Sequence, residues 1–276
     1  MVNRRELTPD ASPQAAYGAR LRRLREERGW SQVELGVQVE YSGTHISQVE
    51  TARKSPTLRF SQRVDSALGA GDSFEREWRE MTQGALLEGF PEYLEHESRA
   101  AELRLFDTGL VPGLLQTPEY AQCLADSNVQ RGAITHEQAT DLVSVLTGRQ
   151  ATLARPHPPM VMVVMDESCI RWEVGGPGTM GAQLDHLLEF AARPNTVLQV
   201  APFKIGERRG LYLPINLLTL PDMTVIAYAE SQTRGHLERE STAVWPLLTS
   251  YHQLQTEALS QSATIAMIQE VRKGYS

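Results

Sequence analysis

Two short helices joined by a very short break occupy the segment SQVELGVQVEYSGTHISQVETARKSP, residues 31–56. Ser31, with Glu34 three residues later, forms a capping box, and Ser42 provides a second helix start. Because only residues 40–42 separate the two helices, their axes must cross steeply. A steep crossing leaves one helix free to project from its domain, so this pair constrains the fold more than any other part of the chain.

Further helices are predicted around this pair. Residues 17–28 place apolar side chains at helical spacing and end at Gly29, residues 57–68 form a fourth helix, and a fifth helix follows. The apolar faces of the second and third helices are expected to comprise Val33, Leu35, Val37, Val39, Ile46 and Val49. We therefore predict an all-α five-helix domain at residues 15–82, preceded by a flexible N-terminus at residues 1–14.

The third of these helices is the candidate binding surface. It offers an outward row of polar, hydrogen-bonding side chains with no acidic residue among them, and such a row suits base edges in a DNA major groove. Gln32, at the positive N-terminal end of the second helix, is placed to contact a phosphate. The candidate DNA-binding residues are Gln32, Thr44, His45, Ser47, Gln48, Arg53, Lys54 and Arg59. Double-stranded DNA is therefore the predicted partner.

The charge distribution is compatible with this interpretation although the whole chain is acidic. The sequence has 27 Lys and Arg against 34 Asp and Glu, which gives a net charge of -7. Residues 17–63, however, carry nine basic and five acidic side chains, so the acidic excess belongs to the later part of the chain. Such an asymmetry suits a DNA-contacting head attached to a solvated body.

One segment resembles the helix-turn-helix of the Xre and phage-repressor family. Its residues are LRRLREERGWSQVELGVQVEYSGTHISQVETARKSP. The resemblance extends over residues 17–69. It implies that Gln32 contacts the DNA backbone while the polar row of the third helix faces the groove. It also implies that Arg25 and Glu50 form a structural pair that fixes the first helix against the third.

Two residues depart from the family pattern. The family usually has Gly in the turn, where the backbone is left-handed, and this chain has Glu40, which is expected to cost about 1 kcal/mol. Gly43, at the start of the third helix, offers no side chain to a base or phosphate. We therefore expect a homodimer that holds two weak readers together, with half-sites about one helical turn apart.

A helical bundle of this kind can also serve as a docking module. The alternative function is therefore a non-DNA-binding, antitoxin-like adaptor that uses the helical domain to bind protein. We favour DNA binding because the polar row, the capped helix and the local basic excess occur together. Salt dependence separates the two, because DNA binding weakens steeply with added salt through counterion release.

The remainder of the chain, residues 83–276, is predicted to form an α+β domain with a small mixed sheet. Helices are expected at residues 92–106, 137–153, 180–192 and, as long helices, 237–271. Strands are expected at residues 161–165, 196–201, 215–220 and 224–229. The segment VPGLLQT, residues 111–117, is interpreted as a packed corner. This domain is expected to dimerise and to receive a signal.

Three stretches of this second domain resemble the uncharacterised C-terminal domain of actinobacterial regulators, including the WhiJ-like developmental regulators. They are LVPGLLQTPEYA, the segment MDESCIRWEVGGPGTMGAQLDHLLEFAARPNTVLQVAPF and the loop GERRGL. Related regulators are described as antitoxin-like and are often encoded beside a small acidic protein. The resemblance therefore implies a small acidic partner protein as the input to the second domain.

A second possible input is a ligand held by the loop PFKIGERRGLYLP, residues 202–214, because a long glycine-punctuated loop at a strand end can line a site. The residues of this possible effector loop are Phe203, Lys204, Arg208 and Arg209. A surface loop with solvated arginines is the plainer interpretation.

The acidic pair Asp166 and Glu167 is interpreted as a helix N-cap, and no catalytic set has diagnostic spacing, so we expect no enzyme activity. Cys123 and Cys169 lack metal-ligand spacing, and neither a metal nor a cofactor is expected. No run of about 20 apolar residues is present, and the start MVNRRELTPDASPQ lacks the apolar core of a signal peptide. We therefore expect a cytoplasmic protein that does not bind membranes.

Overall fold

The computed structural model describes residues 12–82, 87, 89–231 and 234–275 of the 276-residue chain. The chain divides into two compact units. One comprises residues 1–85 and 140–148, and the other comprises residues 86–139 and 149–276. The expected fold class, an all-α first part and an α+β second part with a mixed sheet, is confirmed.

The first unit contains the five expected helices. They are α1 (Pro13–Glu27), α2 (Gln32–Val39), α3 (Gly43–Glu50), α4 (Leu58–Leu68) and α5 (Ser73–Thr82). α1 begins before residue 17 because the Ser12 hydroxyl accepts a hydrogen bond from the backbone N–H of Ala15. Residues 1–11, which belong to the expected flexible N-terminus, lie outside the described residues.

A polar side chain caps the start of each later helix in this unit. The Ser31 hydroxyl and the Glu34 carboxylate complete the capping box of α2, and Ser42 and Thr57 cap α3 and α4. α5 is capped from a neighbouring helix, because the buried Asp65 carboxylate accepts hydrogen bonds from two backbone N–H groups at its start. The two expected caps, Ser31 and Ser42, together with the Thr57 cap and the α4 to α5 contact, therefore set the starts of these helices.

The core of the first unit shows that the expected apolar face of α2 is partly wrong. Leu35 and Val39 are fully buried, whereas Val33 is 66% exposed and Val37 is 70% exposed. A helix repeats every 3.6 residues, so alternate apolar positions cannot all face the same side. Ile46 and Val49 of α3 are buried as expected and join a cluster built around Phe60 and its neighbours.

The second unit holds a sheet with helices around it. Its elements are α6 (Phe90–Arg99), β1 (Glu102–Asp107), α7 (Pro118–Gln130), β2 (Met160–Asp166), α9 (Ser168–Arg171), α10 (Gly176–Ala191), β3 (Thr196–Ala201), β4 (Ile215–Thr219), β5 (Val225–Glu230), β6 (Gly235–Glu238), α11 (Ser241–Glu257) and α12 (Gln261–Lys273). α8 (His136–Arg149) lies between α7 and β2, and its residues 140–148 belong to the first unit. The described strands follow the order β3-β2-β1-β4-β5-β6.

The sheet is mixed, with β1, β2 and β3 parallel and β4, β5 and β6 antiparallel. The single helix expected at residues 92–106 is wrong, because α6 ends at Arg99 and β1 begins at Glu102. β1 lies between β2 and β4, so the buried Leu103, Leu105 and Phe106 pack in the middle of the sheet. Tertiary pairing on both edges therefore overrides the local helical pattern.

Two other predictions for this unit need correction. The helices expected at residues 237–271 begin only at Ser241, because residues 235–238 form the short strand β6. After the corner at residues 111–117, where Leu114 and Leu115 are buried in a 3-10 turn, the Thr117 hydroxyl caps the unexpected helix α7. A proline directly after a capping Thr is a helix start, and this signal was present in the sequence.

The outer edge of β3 is partly covered by the segment between α11 and α12. The backbone N–H of Val200 donates to the Thr264 hydroxyl at 3.0 Å, and the Val200 carbonyl accepts from the N–H of Leu259 at 2.9 Å. Both backbone groups of Val200 on this edge are therefore occupied.

Within the described residues, no helix is both long and apolar enough to cross a membrane.

Candidate nucleic-acid interface

A buried carboxylate, that of Glu50 at the end of α3, ties together the first three helices. Its two oxygens accept hydrogen bonds from Arg25 Nε at 2.5 Å and Arg25 Nη2 at 3.1 Å. Gln32 Nε2 of α2 donates to the same carboxylate at 2.8 Å, and Arg22 Nε approaches it at 3.4 Å. The side chain of Glu50 is fully buried, and Arg25 is only 7% exposed. The expected pair is thus a bidentate contact, the geometry that most restricts both partners.

The hydrogen bonds of this pair favour the charged form of Arg25. The hydrogen bonds from Arg25 to Glu50 raise the pKa of the guanidinium above its ordinary value, and they outweigh the effect of burial. Arg25 Nη1 also donates to the carbonyl of Trp30 at 2.6 Å, and Trp30 directly precedes Ser31, the N-cap of α2. The pair therefore orients both α2 and α3 relative to α1.

The turn between α2 and α3 is left-handed at Glu40, with φ of 57° and ψ of 42°. Two contacts from Arg63 of α4 hold this strained residue, namely an ion pair with its carboxylate and a hydrogen bond to the carbonyl of Val39 at 3.0 Å. A Cβ atom on Gly36 would lie 2.6 Å from the carbonyl oxygen of Tyr41. The turn is thus tight enough to require Gly36, while Arg63 offsets the absence of glycine at Glu40.

The outer edge of α3 is hydrophilic and its inner edge is buried. Thr44 and Gln48 are exposed, and Ser47 is half-buried, whereas Ile46 and Val49 pack in the core. The backbone of α3 lies close to α1 as well, since a Cβ atom on Gly18 would lie 2.6 Å from the carbonyl oxygen of Val49. The exposed edge is therefore carried on a helix that is anchored on its opposite side.

His45, a member of the expected outward row, has a different environment. Its ring packs against the ring of Tyr41 at a centroid distance of 4.5 Å and against the ring of Phe60 at 5.2 Å. Burial, followed by the charge of Lys54, lowers the pKa of His45 to about 4, so the imidazole is neutral. Its Nε2 atom is buried without a hydrogen-bond partner among the described residues. The ring thus faces the contact between α3 and α4.

The remaining candidate residues follow the C-terminal end of α3. Arg53, Lys54 and Arg59 are exposed in the connection after α3 and at the start of α4. The backbone N–H groups of Arg53 and Lys54 donate to the carbonyl of Gln48 at 2.8 and 3.2 Å, so this basic segment folds back on the end of α3. Ala52 adopts a left-handed conformation there, with φ of 53°.

The possible effector loop of the second unit is fastened to the ends of β2 and α11. The backbone N–H of Phe203 donates to Glu167 Oε2 at 2.8 Å, Arg209 forms an ion pair with Asp166, and Arg208 Nη1 lies 2.9 Å from Glu257 Oε2. The Phe203 side chain remains 53% exposed, and Lys204 is exposed. Two of the three cations of the loop are thus occupied by carboxylates of the same unit.

The acidic pair that precedes α9 has a structural role. Asp166 Oδ1 accepts a hydrogen bond from the backbone N–H of Ser168 at 2.9 Å. Burial alone would raise the pKa of Asp166, but the hydrogen bonds from Ser168 and the Arg209 guanidinium lower it below its ordinary value. Among the described residues, no group of three or more His, Cys, Asp or Glu side chains could hold a metal ion, and both cysteines are free.

The closely spaced α2 and α3, with a left-handed residue between them and an exposed hydrophilic edge on α3, define a protein of the helix-turn-helix class. A family model described as a helix-turn-helix domain matches residues 16–85. A second family model, described as a domain of unknown function (DUF5753), matches residues 90–270, which is more than half of the chain. The chain belongs to this DUF5753 family. No curated protein matches the chain, and no solved structure matches it.

Sequence reasoning missed two residues that shape the interface. Arg63 was counted only as one of the local basic residues, although it clamps the turn at Glu40. Arg63 lies 23 residues after Glu40 and on a separate helix, so no local sequence pattern signals their contact. Val33 was assigned to the buried face of α2 and is instead exposed beside α3. A helical projection of α2 separates it from Leu35 and would have found it.

Proposed function

We propose that the chain is a sequence-specific DNA-binding transcriptional regulator that inserts α3 into a major groove. The observation that carries this proposal is the exposed hydrophilic edge of α3, which is anchored on its opposite side by Ile46 and Val49. Thr44, Ser47 and Gln48 are the proposed base readers. His45 is left out of this set because its ring is occupied by aromatic contacts. Amide and hydroxyl groups of this kind suit the donor and acceptor pattern of the major groove.

Gln32 fits the proposed phosphate contact in an indirect way. One hydrogen of its side-chain amide is donated to Glu50, and an amide has a second hydrogen to donate. The Glu50 carboxylate would therefore preorient the amide at the N-terminus of α2, where free backbone N–H groups also attract an anion. Arg53, Lys54 and Arg59 are the proposed contacts to the flanking backbone, since all three are exposed near the end of α3.

The proposal extends to the second part of the chain. We keep residues 15–82 as the DNA reader of the Xre type and residues 83–276 as the part that dimerises and receives a signal. A homodimer would present two α3 helices to half-sites about one helical turn apart. A small acidic partner protein of the WhiJ-like kind, or a ligand at Phe203 and its loop, is the proposed input, and no catalytic step is required.

Selection from a pool of random DNA duplexes tests the function. The full chain should enrich one sequence, and its affinity for that duplex should fall steeply as salt rises. Replacing Gln48 or Ser47 with Ala should relax the preference at one position per half-site, whereas Gln32→Ala should weaken binding to all duplexes similarly. Gln38→Ala is the matched control, because Gln38 is an exposed glutamine on α2 distant from its N-terminus.

The outcomes separate the two hypotheses. If no sequence is enriched and retention of DNA does not depend on salt, the helical domain is a protein-docking adaptor and the DNA proposal fails. If a sequence is enriched but the Gln48 and Ser47 variants keep the same preference, the proposal of sequence-specific DNA binding stands. The assignment of Gln48 and Ser47 as base readers is then wrong.

A further inference from the structure

Val33 is an aliphatic side chain that the packing of the first unit does not explain. It is the second residue of α2, and it is 66% exposed while Leu35 and Val39 supply the buried face of the same helix. Single exposed apolar residues are ordinary on protein surfaces. The position of this one, next to the start of α3, gives it a possible use.

Val33 lies against the first residue of α3, which is Gly43. A Cβ atom on Gly43 would lie 3.0 Å from Val33 Cγ2 and 3.3 Å from Val33 Cα, which is tighter than an ordinary contact. A side chain at position 43 would thus compete for space with the Val33 methyl group. Gly43 avoids this crowding, and a methyl group of Val33 lies beside the position from which the first side chain of α3 would project.

The chemistry of the major groove gives this methyl group a specific counterpart. The N-terminal residues of a recognition helix are the ones that approach base edges. On those edges the C5 methyl of thymine is the apolar group, and an aliphatic side chain recognises it by contact. Building on the proposed function of α3, we propose that Val33 reads a thymine methyl group and supplies the base contact that Gly43 cannot make.

A double-mutant cycle tests this inference. It removes the thymine methyl group from the DNA, the Val33 methyl groups from the protein, or both. The duplex enriched by the full chain is prepared with each thymine of a half-site replaced in turn by deoxyuridine, which lacks only the C5 methyl. At one position the substitution should weaken binding of the unchanged protein about fourfold, the effect of exposing one methyl group. The Val33→Ala variant should bind the thymine duplex about as weakly as the unchanged protein binds the deoxyuridine duplex. Its own binding should not change when deoxyuridine replaces thymine at that position.

Val37→Ala provides the matched control. Val37 is 70% exposed on the same helix, one turn after Val33, and it is not among the contacts of Gly43, so its removal should leave the response to every deoxyuridine unchanged. The thermal unfolding of both variants should match that of the unchanged protein, because neither side chain is in the core. An unchanged deoxyuridine response in Val33→Ala, or no responsive thymine at all, would overturn the inference while leaving the enriched duplex as support for the proposed function. Failure to enrich any duplex removes the proposed function itself.

Discussion

Replacing Glu50 with Gln should destabilise the first unit severely, because it removes the counter-charge of a buried guanidinium. Arg25 donates two hydrogen bonds to this carboxylate, at 2.5 and 3.1 Å, and is itself only 7% exposed. Removing one partner of a buried pair costs about 3–5 kcal/mol. Gln retains one acceptor oxygen, so we expect the lower end, about 3 kcal/mol. For a small helical unit this lowers the unfolding midpoint by more than about 10 °C.

Thermal and urea unfolding followed by far-UV circular dichroism measure this effect, with Glu34→Gln as the matched control. Glu34 is an exposed carboxylate in the capping box, and its neutralisation should cause a far smaller change. The double variant Arg25→Met with Glu50→Leu should recover much of the loss, since an apolar pair of similar volume carries no buried charge. A cost of less than about 1 kcal/mol for Glu50→Gln would show that hydration or the neighbouring Glu26 carboxylate, 3.6 Å from Arg25 Nη2, stabilises the guanidinium in place of Glu50, and the reasoning would be wrong.

Three further substitutions have defined outcomes. Ala52→Gly should stabilise the first unit by about 0.5–1 kcal/mol, because Ala52 has φ of 53°. The control Ala67→Gly, inside α4, should destabilise the unit by about 1 kcal/mol. The midpoints of urea unfolding measure both changes. His45→Phe should raise the midpoint, since the unpartnered Nε2 atom costs about 1–3 kcal/mol, and an unchanged or lower midpoint would contradict this. The pKa of His45 is lowered to about 4, so the unchanged protein should lose stability as pH falls from about 6.5 to 4, and His45→Phe should remove that loss. In the second unit, burial followed by the charge of Glu230 raises the pKa of Asp107 to about 7; the folded state holds this proton, so stability should fall as pH rises from about 4 to 7. Asp107→Asn should flatten that decline in calorimetric scans, and a decline that persists in the variant would refute the assignment.

The helical unit was predictable from sequence because its boundaries are set by local chemistry. Ser31, Ser42 and Thr57 begin helices through their own side chains, and Gly29 and Gly69 adopt the left-handed conformations that end them. These signals act over three or four residues, so no knowledge of the tertiary structure is needed.

The sheet was harder because its strands are defined by partners that are distant in the chain. Residues 102–107 follow closely on α6, and their alternation is too short to mark a strand by itself. They become β1 because β2 and β4 pair with them. The same reason explains β6, a four-residue strand whose partner among the described strands is β5. A short strand of this kind has no period long enough to be recognised.

The candidate site was predictable in composition and less so in orientation. The polar identity of the α3 row was evident, but the inward turn of His45 depends on Tyr41 and Phe60, one of which belongs to α4. Likewise, whether Val33 is buried or exposed depends on which of two opposite faces of α2 packs against the core. Contacts between helices decide such cases, and a single sequence does not display them.

The bonds made by Val200 limit how a second chain can join this sheet. Strand addition at β3 would need the N–H and carbonyl of Val200, which already bond to Thr264 and Leu259 of the same chain. A strand of a second chain could pair along the whole outer edge of β3 only after the connection between α11 and α12 had detached from that edge. The α12 helix and the connection before it therefore block cross-chain β-bridging at Val200.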